Sequence, residues 1–96
     1  MKVLALEREN PGADMRAGTA EILREEAARV WDLQQAGVIR ELYFRADRSA
    51  AVLVLECPSA ADAGSILATL PLVERGLIEF EVIPLAPYTG FARLFR

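Results

Sequence analysis

The chain has 96 residues, enough for one small hydrophobic core and too few for a second. With 53% hydrophobic and 26% charged residues it is too apolar for a disordered chain, and its longest uncharged stretches, Ala63 to Val73 and Val82 to Ala92, contain proline and fall well short of the about 20 apolar residues that cross a bilayer. Eleven Lys+Arg against fourteen Asp+Glu give a net charge of −3 with no basic cluster to follow a phosphate backbone.

Neither nucleic acid nor a membrane is therefore expected as a partner. No secretory leader is read at Met1-Lys2-Val3, so a cytoplasmic location is expected. The single cysteine, Cys57, closes no intrachain disulfide, and with no histidine the chain has no ligand set for zinc. No metal and no cofactor are expected. The missing histidine also rules out the Ser-His-Asp and Cys-His constellations, which leaves proton transfer to carboxylate, tyrosine or arginine-polarised groups.

Lys2 to Arg8 reads as a first strand, stopped by Asn10-Pro11-Gly12. From Ala20 to Ala36 the period becomes helical, with Ala20, Leu23, Ala27, Val30, Trp31 and Gln34 on one arc. Thr19 can cap this helix and Gly37 can end it. Ile22 and Leu33 widen the apolar arc to about half the circumference, beyond the roughly 100° that one core face needs, and Glu26 falls inside the widened arc. Trp31 reads as an anchor between helix and sheet.

Val38 to Ala46 reads as a second strand, with Val38, Leu42 and Phe44 toward the core and Glu41, Tyr43 and Arg45 on the other face. Asp47-Arg48-Ser49 is a polar turn. Ala50 to Glu56 is apolar on both faces and reads as a central strand. Pro58 and Ser59 open a second helix, Ala60 to Leu70, which Pro71 stops. After Gly76, Leu77 to Leu85 forms a fourth strand that sets Ile78, Phe80 and Val82 against Glu79, Glu81 and Ile83.

The order β-α-β-β-α-β predicts a ferredoxin-like α+β sandwich: a four-stranded antiparallel sheet with both helices on one face. Residues 1–96 are thus read as one domain. The uncovered face is expected to carry Val3, Ala5, Tyr43, Ile83 and one of the pairs Val52/Val54 or Leu53/Leu55. That apolar area predicts a second copy packed sheet to sheet, hence a homodimer or higher homo-oligomer with an intersheet cavity for a small-molecule ligand. The aromatic tail, residues 86–96, is expected to dock on a neighbouring subunit.

Three segments resemble the muconolactone delta-isomerases: Gly37-Val38-Ile39-Arg40-Glu41-Leu42-Tyr43, Glu56-Cys57-Pro58-Ser59 and Thr69-Leu70-Pro71-Leu72. Ile78-Glu79 is similar to the start of the family's last strand, and Glu26 falls where its first helix carries an acidic residue. The resemblance runs from about Thr19 to Glu79 and implies a dimeric α+β barrel, often assembled into larger rings. The chain departs from the family in lacking its histidines and in the Pro84-Leu85 exit and aromatic tail.

The activity so implied moves a double bond in a small anionic lactone by removing a proton next to a carbonyl and returning it elsewhere. Such a reaction needs a base, a group for the developing enolate and a cation for the carboxylate. Glu26 is the first candidate base, since desolvation in the apolar arc would raise its pKa; the alternative is a structural pair with Arg40. Tyr43 could donate to an enolate oxygen, and Arg45 could hold a carboxylate through its fork; the alternatives are interface packing and cross-strand pairing with Glu79 or Glu81. Alternation sets Arg40, the other candidate for substrate binding, on the opposite face from Tyr43. Two readings stand: an isomerase-like enzyme, or a non-catalytic dimeric barrel that binds a small ligand or serves as an accessory subunit.

Overall fold

The structure, a computed structural model, describes residues 1–14 and 19–95. Its elements follow the expected order: β1 (Lys2–Glu9), α1 (Ala20–Gln35), β2 (Ile39–Phe44), β3 (Ala51–Glu56), α2 (Ala60–Leu67), α3 (Pro71–Glu74) and β4 (Ile78–Pro84), then a closing 3-10 segment (Gly90–Phe95). The strands form one antiparallel sheet in the order β2-β3-β1-β4. This is the ferredoxin-like α+β arrangement.

Local chemistry sets the helix limits. Thr19, in extended backbone, accepts the N–H of Ile22 and starts α1. At the other end Gly37 takes φ +78°, and the N–H groups of Gly37 and Val38 return to the carbonyls of Gln34 and Leu33, a Schellman closure that a Cβ would strain. Ser59 caps α2 by accepting from the N–H of Asp62. The second helix ends at Leu67, earlier than the expected Leu70, and Pro71 does not stop it. Pro71 instead occupies the first turn of the short α3, where a missing N–H costs nothing.

The core forms where Val3 and Ala5 of β1 and Leu53 and Leu55 of β3 meet Leu33 of α1 and Ala63 and Leu67 of α2, with Ile39 and Leu70 sealing it. Val3 and Ala5 are fully buried under the helices, which corrects their expected place on the uncovered face. The register explains the exchange: Val3 pairs with Leu55 and Ala5 with Leu53, whereas Leu4 pairs with Val54 and Leu6 with Val52. Leu4, Leu6, Val52, Val54 and Ile83, with Tyr43 opposite Val52, therefore make the uncovered face. An irregularity between Ile39 and Glu41 leaves Arg40 as an extra residue on β2, and beyond it Leu42 and Phe44 share the helix-covered face.

Candidate active site

The wide apolar arc of α1 serves two surfaces. Ile22 and Leu33 are buried, and in the same row Arg29 donates to Thr69 Oγ1 at 3.1 Å while Glu26 Oε1 accepts the N–H of Leu72 at 2.9 Å. That row fastens α1 to the segment linking α2 and α3. The neighbouring row, Leu23, Ala27, Val30, Trp31 and Gln34, faces a cavity of about 680 Å³. Trp31 is 61% exposed on that wall, so it is no core anchor.

The opposite wall is the sheet. Leu42 and Phe44 of β2, Leu53 of β3 and Phe80 of β4 line it, and Leu70 and Leu72 close one end. Leu42 and Phe44 face the helices by register, yet they stay exposed because β2 is an edge strand that α1 does not close upon.

Two carboxyl groups interrupt these apolar walls, Glu26 from α1 and Glu7 from β1. Burial pushes the Glu26 carboxyl above the ordinary glutamate value; the Leu72 N–H pulls the other way, and the charge of Glu7 adds to the rise. Glu7 shares the β1 face of Val3 and Ala5, and its Oε1 accepts the N–H of Ala51 at 3.2 Å. Burial raises it too, against that bond, with the charge of Glu9 adding. Glu7 was not among the sequence candidates. The signal for it was the alternation of β1, which continues Val3 and Ala5 onto a carboxylate.

The other candidates lie apart from this pair. Tyr43 contributes to the lining from the rim strand, but its hydroxyl donates to Glu41 Oε1 at 2.9 Å, a bond that favours the neutral phenol and raises its pKa. Arg45 grips Asp47 with both prongs, Nε to Oδ1 at 2.8 Å and Nη2 to Oδ2 at 2.6 Å, which holds the Asp47 carboxyl below its usual range. Arg40 turns back to donate to the carbonyl of Gly37. Glu26 and Tyr43 thus border one cavity, whereas Arg40 and Arg45 are not among its lining residues. Cys57 is buried, and burial raises its thiol. Among the described residues no group of three or more His, Cys, Asp or Glu side chains gathers to hold a metal ion, and no helix is long and apolar enough to cross a membrane.

The family model for muconolactone delta-isomerase matches residues 6–90. The chain belongs to that family. The fold agrees: the crystal structure of a muconolactone isomerase superimposes with a TM-score of 0.72 at 24% identity, covering 94% of this chain and 93% of that one. A second structure, the 5-chloro-2-hydroxyhydroquinone dehydrochlorinase of Burkholderia phenoliruptrix AC1100 in complex with 2,5-dihydroxybenzoquinone, gives a TM-score of 0.62 at 17% identity over 94% of this chain and 98% of that one. No curated protein matches the sequence significantly. The family match runs from the middle of β1 to the start of the 3-10 segment and so includes Glu7, Glu26 and every wall of the cavity.

Proposed function

We propose that the protein is a small-molecule isomerase that shifts a double bond in a small lactone by proton transfer, with anionic lactones as the expected substrate class and Glu26 as the base. The observation that carries this reading is the Glu26 carboxyl, half-buried in an apolar cavity, raised by that burial and held through Oε1 by a backbone N–H. A raised carboxyl is a better proton acceptor than an ordinary glutamate. Removing a proton from the carbon next to the lactone carbonyl would leave a dienolate. Returning a proton at the far end of the conjugated system completes the shift without oxidant, reductant or metal.

Within this reading Tyr43 is the donor to the enolate oxygen, which requires its hydroxyl to leave Glu41. Arg45, and Arg40 in the same capacity, would anchor a substrate carboxylate after release from Asp47 and Gly37. We place these groups in a homodimer or larger homo-oligomer. Its interface would be the uncovered apolar sheet face, with the exposed tail residues Tyr88, Phe91, Leu94 and Phe95 docked on the neighbouring copy.

The test compares wild type and Glu26→Gln in the isomerisation of a small butenolide. Wild type should turn over, and the variant should be slower by about 10²-fold or more with its fold retained. Binding without turnover by wild type would make the protein a ligand-binding barrel and overturn the isomerase reading.

A further inference from the structure

An allylic proton shift has two ends. The base that empties one carbon must either swing to the other carbon or be complemented by a second proton carrier. Glu26 is fastened at Oε1 to the N–H of Leu72, a segment anchored by the fully buried Leu70. A swing would therefore cost that bond. Glu7 stands on another wall of the same cavity, on a central strand, also fastened by one oxygen to a backbone N–H, that of Ala51. Among the described residues, Oε2 of each carboxyl has no protein partner and remains available to a ligand.

Resting on the isomerase reading, we infer that Glu7 is its second catalytic residue: Glu26 removes the proton at one end of the allylic system, and Glu7, as the acid, delivers one at the other. The cycle starts from the form of the pair that carries one proton, with that proton on Glu7. The C–H bond next to the carbonyl breaks, its proton goes to Glu26 Oε2, and the electron pair passes into the dienolate. The O–H bond of Glu7 then breaks as the new C–H bond forms at the distal carbon. Transfer of the proton from Glu26 back to Glu7, directly or through water, restores the pair with no net change in charge.

Single occupancy by a proton has a physical basis. Two carboxylates in one apolar cavity repel each other, so ionisation of one disfavours ionisation of the other and the pair titrates as a unit. The charge of Glu7 contributes to raising Glu26, which is the repulsion such a pair entails. The charged groups beside the pair are Glu9, next but one to Glu7 on β1, and Arg29, one turn beyond Glu26 on α1, whose guanidinium is turned to Thr69 Oγ1.

The test runs wild type, Glu7→Gln, Glu7→Asp and Glu26→Gln on a β,γ-unsaturated butenolide in deuterium oxide, following deuterium in product and recovered substrate. Wild type should deposit solvent deuterium at the distal carbon, because the Glu7 proton exchanges with solvent. Glu7→Gln should still wash deuterium into the carbon next to the carbonyl of recovered substrate, while isomerisation falls by about 10²-fold or more. Glu7→Asp, a shorter acid, should fall between the two, and Glu26→Gln should lose both exchange and isomerisation. If Glu7→Gln isomerises at the wild-type rate, or loses exchange and isomerisation together, the division of labour is overturned while the Glu26 reading survives. If Glu26→Gln turns over like wild type, the isomerase reading itself falls.

Discussion

Trp31, the chain's one tryptophan, separates two pictures of α1 with a single substitution. If it were a core anchor, Trp31→Ala would remove a buried aromatic ring and cost about 3–5 kcal/mol. In the structure it is 61% exposed on the cavity wall. Roughly two-fifths of a side chain of up to about 250 Å² therefore touches protein; at about 25 cal/mol per Å², reduced for the compactness of the unfolded chain, its loss costs about 1.5 kcal/mol. For a domain of this size that is a fall in Tm of about 10 °C. Urea unfolding with an unchanged slope reads the energy directly. The same change strips one wall from the cavity, so affinity for a small butenolide, measured by calorimetry, should drop by about tenfold, equivalent to about 1.4 kcal/mol of lost contact. A destabilisation of 3 kcal/mol or more with affinity untouched would refute the assignment of this helix face to the cavity.

Two further outcomes follow from the same geometry. Burial raises Glu7 and Glu26 above the ordinary glutamate value of 4.5, so the folded state holds more protons than the unfolded chain as pH rises past that value, and both groups subtract from stability as they ionise. Glu7→Gln and Glu26→Gln should each lose less stability than wild type between pH 4.5 and neutrality. Equal pH dependence in urea titrations of all three proteins would contradict the burial of these carboxyls. On the uncovered sheet face, Val54→Lys sets a charge opposite Leu4, and it should convert the proposed homodimer to monomers in light scattering; an unchanged mass would move the proposed interface elsewhere.

Much of the architecture was legible because its signals are local. Thr19, Gly37 and Ser59 act where their side chains or backbone freedom suggested, and the change of period between strands and helices put each element within a few residues of its place. Alternation sorts a strand into two sets but does not say which set the helices cover, so Val3 and Ala5 exchanged places with Leu4 and Leu6. The cavity was less legible for a related reason. Leu42, Phe44 and the row of Leu23, Ala27 and Trp31 have the pattern of core, but α1 packs through Ile22 and Leu33 and leaves these residues facing a void. Periodicity records which residues share a side and carries no measure of how closely two sides approach. Glu26 was visible as a carboxylate within an apolar arc. Glu7 escaped notice because one charge near a strand end looks like a solvated terminus until the covered face is known.

The most direct measurement is a structure of the protein bound to saturated γ-butyrolactone, which lacks the double bond and cannot react. The ligand is expected in the cavity between α1 and the sheet, with the carbon next to its carbonyl within about 3–3.5 Å of a Glu26 carboxyl oxygen. A ligand seated on the outer sheet face, beyond the reach of Glu26, would contradict this expectation.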